Sequence, residues 1–232
     1  MTFDYLNKEL FFCADDFGKN ALTNRRIIWL AKRKKIKRVS VMIGENCCLN
    51  GLEQLKKSGV AIDLHLVLKK NNESITQKTN FFLRVLLFFS KIFFLRQIKR
   101  DWHWQVEKFK RIFNRKPDGI NSHEHLHFFP PLFYLLLELA NEQRIGYLRL
   151  GFKGIIGGGM IANTLKVLNK INNCFFGKKI KNRTSEYLSC LDWVKKGNFS
   201  LLKLKNENVE IICHPETDSD FEMLKNLRFD KK

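Results

Sequence analysis

Acidic residues are in short supply. The chain has 23 Asp and Glu against 42 Lys and Arg, a formal charge of +19 over 232 residues. Residues 25–38 and 143–185 contain no acid at all. Such a field attracts polyanions and anionic membrane surfaces, yet charge alone identifies no partner, and a solvated lysine-rich surface has the same composition. The basic stretches lack interleaved aromatics, and no zinc-finger, RRM or KH pattern occurs. No specific nucleic-acid partner is therefore expected. The six Cys form no CxxC pair and no dense framework, which excludes a disulfide-stapled scaffold and points to a reducing cytoplasm. Met1-Thr2-Phe3-Asp4-Tyr5 is not a basic segment leading into an apolar one, so no signal peptide is expected. There is no internal repeat and no linker rich in Pro, Gly or Ser, so residues 1–232 read as a single domain. Hydrophobic residues at 44%, with 21 Phe among them, suffice for a core and exclude collagen, mucin-like stalks and wholesale disorder.

The most apolar window, Phe81–Leu95 (FFLRVLLFFSKIFFL), would be about 22 Å long as a helix, too short for a bilayer core of about 30 Å. Arg84 and Lys91 fall on one narrow face of it. Residues 81–100 thus read as a hydrophobic helical insertion. It suits a helix lying in a membrane interface, one capping a barrel, or one pairing with a second subunit in a homodimer.

Short apolar runs alternate with helical spacing. Strands are predicted at 10–14, 39–43, 61–66, 119–122, 147–150 and 209–213. Helices are predicted at 20–34, 50–58, 81–98, 101–114, 131–143, 160–171 and 186–196. Near-continuously apolar strands between helices indicate a parallel sheet covered by helices. Six or seven such units favour a TIM-like (β/α) barrel, complete or not, over an open doubly wound sheet.

Five of the six His lie at or near a predicted strand end, as does the pair Asp15-Asp16. In parallel α/β folds ligands bind at the carboxyl ends of strands, so Asp15, Asp16, His65, His123, His125, His127 and His214 could converge on one mouth. Adjacent carboxylates repel unless a cation or donor compensates. One helix N-cap would account for one Asp, not for both. Asp16, His65 and His123 would form a three-ligand metal site with open positions, leaving Asp15 as general base and His214 as general acid. If the strand continued through SHEHLHFFP, His123, His125 and His127 would point the same way. His103, between Trp102 and Trp104, falls outside this set and reads as structural or surface.

ADDFG at 14–18, LHL at 64–66, KPDGINSHEHLHFFP at 116–130, LRL at 148–150 and ICHP at 212–215 occur in an order that resembles the YdjC-like carbohydrate deacetylases, over residues 10–215. The resemblance implies a distorted (β/α) barrel related to polysaccharide deacetylases. It also implies a divalent metal, Mg2+ with Zn2+ chemically suited, and hydrolysis of an N-acetyl group on an amino sugar or glycan. It matches Asp16, His65 and His123 to metal ligands, Asp15 to the base and His214 to the acid. Arg149 matches a residue that orients the site or binds substrate, and His125 and His127 match the remaining motif histidines. The chain departs from the family pattern at Asn121, where Asp is usual, at Glu216, where Gly is usual, and after Arg149, where no acid follows. The basic charge and the 81–95 segment extend the expectation to a lipid-linked or envelope glycan handled at the inner membrane surface. The other readings are an anionic-surface binder with a decayed site, and a metal-dependent hydrolase of another bond such as a phosphoester.

Overall fold

The computed structural model describes residues 9–68, 95–196 and 207–227. Eight parallel strands form one curled sheet in the order β5-β4-β3-β2-β1-β8-β7-β6. They are β1 Glu9–Phe17, β2 Arg38–Met42, β3 Ala61–Leu66, β4 Gly119–Ser122, β5 Tyr147–Leu148, β6 Gly154–Ile156, β7 Tyr187–Cys190 and β8 Asn208–Cys213. No ladder joins β5 to β6 among the described residues; the gap is bridged by Arg183, whose N–H and carbonyl bond Gly146 and Leu148. The result is a distorted (β/α) barrel with an open seam.

The helices are α1 Ala21–Lys32, α2 Leu52–Lys56, α3 Leu95–Phe113, α4 Pro130–Glu142, α5 Met160–Phe176, α6 Leu191–Lys196 and α7 Asp218–Asn226. Asn20 caps α1 by accepting from the Thr23 N–H at 2.9 Å, which leaves Asp15 and Asp16 free of capping duty. Two prolines open α4, where the missing N–H groups cost nothing.

Strand alternation sorts the side chains. Val39, Val41, Ile62, Leu64, Ile120 and Ile211 face the helices and bury completely or nearly so. The opposite face is polar: Cys13, Asp15, Ser40, Asp63, His65, Asn121 and Glu210 are all buried there. A barrel of this class ordinarily fills its interior with branched aliphatics; this one fills it with charge.

Several predicted boundaries change. Residues 186–196 form a strand followed by a helix, β7 then α6, not one helix. β6 and α7 were not predicted at all. No break separates 98 from 101, because α3 runs unbroken through that point and lacks any Gly or Pro there. Of the window 81–95 only Leu95 is described, as the first residue of α3; the rest lies outside the described residues. Among the described residues no helix is long and apolar enough to cross a membrane.

Candidate metal centre and active site

β1 delivers two neighbouring carboxylates to one place by breaking its own register. Its pairing with β2 shifts between Ala14 and Phe17, and Asp16 takes φ 69°. Adjacent strand residues normally face opposite sides. A bulge with a residue in the left-handed region re-aims one of them, and Asp tolerates that region better than most residues. The carboxylates thus lie within β1, not in a loop after it.

Asp16 Oδ1 lies 3.2 Å from His65 Nε2 and 3.1 Å from His123 Nδ1. One ligand atom from each of the three residues fits within a 4.8 Å cluster, the one such group of His, Cys, Asp or Glu among the described residues. His65 comes from β3 and His123 from the end of β4, so three remote chain segments meet here. The donor set, one carboxylate and two imidazoles, suits a first-row divalent ion. Burial pushes the Asp16 carboxyl up, but the hydrogen bonds and charges of His123 and His65 outweigh it and hold the group well below the usual range. For His123 burial pulls downward, and the bond to Asp16 more than reverses that.

His65 Nδ1 contacts Asn121 Oδ1, and Asn121 Nδ2 donates to Ser40 Oγ at 3.0 Å. The amide oxygen can only accept, so Nδ1 of His65 carries a proton, and Nε2 is the nitrogen that would turn its lone pair to an ion held beside Asp16.

Asp15 is clamped. Arg149 donates from Nη1 to Oδ2 at 2.7 Å and from Nη2 to Oδ1 at 2.8 Å, while its Nε donates to Glu210 at 2.7 Å. Glu210 also accepts from the Tyr147 hydroxyl at 2.5 Å. Burial would raise the Asp15 carboxyl, but Arg149, then His65 and His214, hold it far down. Arg149 and Glu210 are wholly buried, a pair that keeps its charge only because each ion is met by others. Sequence reasoning found Arg149 but not Glu210. The missing acid next to Arg149 is supplied from β8, and the signal was an acid inside the apolar run Val209-Glu210-Ile211-Ile212-Cys213.

The three alternating histidines do not point the same way. β4 stops at Ser122, and Glu124 and His125 adopt φ 55° and 56°. This kink sends His123 to Asp16. His125 lies beside Cys190 and Trp193, with its Nε2 3.8 Å from the thiol. His127 turns back under Ser122, whose N–H donates to its Nδ1 at 3.2 Å. Burial, aided by Arg149, pushes His125 down to about 3. Burial, followed by the charge of His125, pushes His127 well below its ordinary value.

His214 follows β8, held by its backbone N–H on Asp220 at 2.8 Å, and its charge acts on both Asp15 and His125. Lys19 was not anticipated. Its Nζ lies 3.6 Å from Asp16 Oδ2 and 2.5 Å from Glu216 Oε2, so the residue standing in the family's Gly position ties down a cation at the rim. His103 sits on α3, bonded to Glu142 at 2.8 Å, away from the site.

Fold and site together define a parallel α/β barrel with a carboxylate–imidazole cluster at the carboxyl ends of its strands. The sequence profile of the YdjC-like protein family matches residues 9–230, and the chain belongs to that family. It is similar to a chitooligosaccharide deacetylase of Escherichia fergusonii, 26% identical over 214 residues, covering 87% of this chain and 79% of that protein. Among solved structures, one from Enterococcus faecalis V583, described as a cellobiose-phosphate cleavage protein, aligns with a TM-score of 0.62 at 21% identity. It covers 94% of this chain and 85% of that one. A family 4 carbohydrate esterase from Bacillus anthracis aligns with a TM-score of 0.41 at 14% identity, over 98% of this chain and 81% of that one, a likeness too distant to bear on chemistry.

Proposed function

We propose that the chain is a metal-dependent carbohydrate N-deacetylase that hydrolyses the acetamide of an N-acetylated amino sugar or glycan to acetate and a free amine. The observation that carries this reading is the meeting of Asp16, His65 and His123 beside an arginine-clamped Asp15. The name of the Escherichia fergusonii relative supports the substrate class.

Asp16, His65 and His123 would hold the ion. When bound, a divalent cation supplies polarisation of the acetyl carbonyl and a water of lowered pKa. Family resemblance implies Mg2+; two imidazole donors favour Zn2+ or Mn2+, since Mg2+ prefers an oxygen shell. Asp15 accepts the proton of the attacking water. Arg149 occupies one lone-pair direction on each of its oxygens and Cys13 Sγ lies 3.7 Å from Oδ1, so Oδ2 is the oxygen that takes the proton. The clamp also keeps Asp15 ionised and fixed, so it holds that proton only briefly. His214 donates a proton to the departing nitrogen, without which the amine is a poor leaving group. His125, neutral at physiological pH, and Trp193 form a wall that positions the sugar without adding charge. The reading that places the substrate on lipid at a membrane surface rests on the basic charge and on residues 81–95, of which all but Leu95 lie outside the described residues.

The test is acetate release from N-acetylated chitooligosaccharides with Mg2+, Mn2+ or Zn2+ supplied separately. His65→Ala and Asp15→Asn are each expected to lose at least a hundredfold in kcat/KM, the lower end of what a positioned acid–base group contributes. Full activity in both variants would overturn the proposal.

A further inference from the structure

At the opposite end of the barrel from the histidines lies a cavity of 930 Å³. Its walls are the amino-terminal ends of the strands: Phe11 on β1, Lys37 and Arg38 at β2, Lys116 before β4, Tyr147 at β5 and Arg183 in the segment bridging the seam. Five lining residues are cationic and one, Asp118, is anionic.

The cations are not all compensated. Arg115 is taken by Asp118 at 2.7 Å. Arg38 donates from Nε to Asp63 at 2.9 Å and from Nη2 to the same carboxylate at 2.5 Å, leaving Nη1 without a partner among the described residues. Among the described residues Lys116 Nζ bonds only the Arg144 carbonyl, at 2.6 Å. Lys37 and Arg183, both exposed, have no carboxylate partner among the described residues. Among the described residues, three positive charges therefore face one concavity without a carboxylate partner, in a chain already at +19.

The floor is fixed in advance. The Arg38 guanidinium lies 4.0 Å from the centroid of the Tyr147 ring, and the Tyr147 hydroxyl is anchored on buried Glu210. Neither group needs ordering when a ligand arrives, which removes part of the usual cost of binding. Phe11, Pro117 and Tyr147, each largely buried, contribute a narrow apolar strip.

Convergent Arg and Lys donors recognise phosphoryl oxygens. An apolar strip beside them suits the edge of a ring, and a volume near the top of the usual ligand range is far larger than inorganic phosphate needs. We propose that this cavity binds a small phosphorylated ring compound, a nucleotide or a sugar phosphate, with its phosphate on Lys37, Lys116 and Arg183. Barrel chemistry sits at the carboxyl ends of the strands, so the ligand here is bound, not turned over. The proposal stands independently of the deacetylase reading.

The test is calorimetry on the full chain at 0.15 M NaCl with ADP, glucose 6-phosphate, pyrophosphate, adenosine and glucose as probes. One phosphorylated ring compound is expected to bind at one site per chain, and adenosine and glucose are not. Lys37→Glu/Arg183→Glu is expected to weaken that binding at least tenfold. Lys170→Glu, on the exposed side of α5, is expected to leave it unchanged and controls for the general basic field. Should the double variant fail to fold, the single variant Arg183→Gln is expected to weaken binding at least threefold. Four results would overturn the proposal: no binding by ADP or glucose 6-phosphate; pyrophosphate binding as tightly as both; equal weakening by Lys170→Glu; or capture of a DNA 20-mer while every small phosphate fails.

Discussion

Asn121 and His65 are register partners across β4 and β3, and the amide oxygen of one meets the ring Nδ1–H of the other. The side chain that departs from the family's usual Asp is therefore the one that orients a proposed metal ligand. It still fixes the tautomer, but with a neutral acceptor in place of a charged one.

Asn121→Leu removes that acceptor, and metal affinity is expected to fall about 10–100-fold, the usual effect of losing a partner behind a ligand histidine. Asn121→Asp is expected to tighten binding, because a carboxylate raises the basicity of the imidazole it holds. Competition with a chromophoric chelator would rank the three proteins. Equal affinities would show that Asn121 has no part in orienting His65.

Arg149 meets both Asp15 and Glu210 in a fully buried setting. Arg149→Met leaves two buried carboxylates unmatched, and denaturant unfolding is expected to show a loss of about 3–5 kcal/mol. Adding Glu210→Gln removes one of the stranded charges and is expected to recover part of that loss. A strictly additive double variant would contradict this coupling.

Stability is expected to fall in mild acid through His125 and His127. Both are held below their ordinary value by burial first, so the unfolded chain takes up protons near pH 6.5 that the folded chain refuses. The stability is fully present above about pH 6.5 and is lost as pH falls toward the depressed folded values. Each histidine contributes about 1.4 kcal/mol per pH unit across that window. His127→Gln should flatten the slope of unfolding free energy between pH 6.5 and 5 by about half; an unchanged slope would contradict the assignment.

Asp16 occupies the left-handed region. Asp16→Gly and Asp16→Val both remove the carboxylate and are both expected to abolish metal binding. Only Val brings a β-branched side chain to a positive φ, so it is expected to be less stable than the Gly variant by about 1–3 kcal/mol in thermal or denaturant unfolding. Equal stabilities would mean the backbone there relaxes freely.

Runs such as Ala61–Leu66 and Val209–Cys213 announced their strands because their helix-facing positions, Ile62, Leu64, Val209 and Ile211, are apolar at strand spacing. The short strands β6 and β7 did not: three and four residues are too few to set a period, and Cys190 passes into Leu191 with no Gly, Pro or capping residue to mark the change. α7 carried its signal in Thr217, whose side chain caps Asp220, but the segment lacks a strong apolar stripe. At the site, the convergence of Asp15, Asp16, His65 and His123 could be read from strand ends alone. The divergence of His123, His125 and His127 could not, since it arises from two left-handed residues, Glu124 and His125, that carry no Gly to betray them. Glu210 needed the third dimension, because its partner lies 61 positions away along the chain.

The irregularity in β1 makes folding and chemistry separable. The strand would keep all its neighbours if Ala14–Phe17 ran straight, yet Asp15 and Asp16 would then turn to opposite sides and no longer serve one centre. A descendant that lost this single kink would survive as a sturdy, inert protein, with every signature residue still spelled out in its gene.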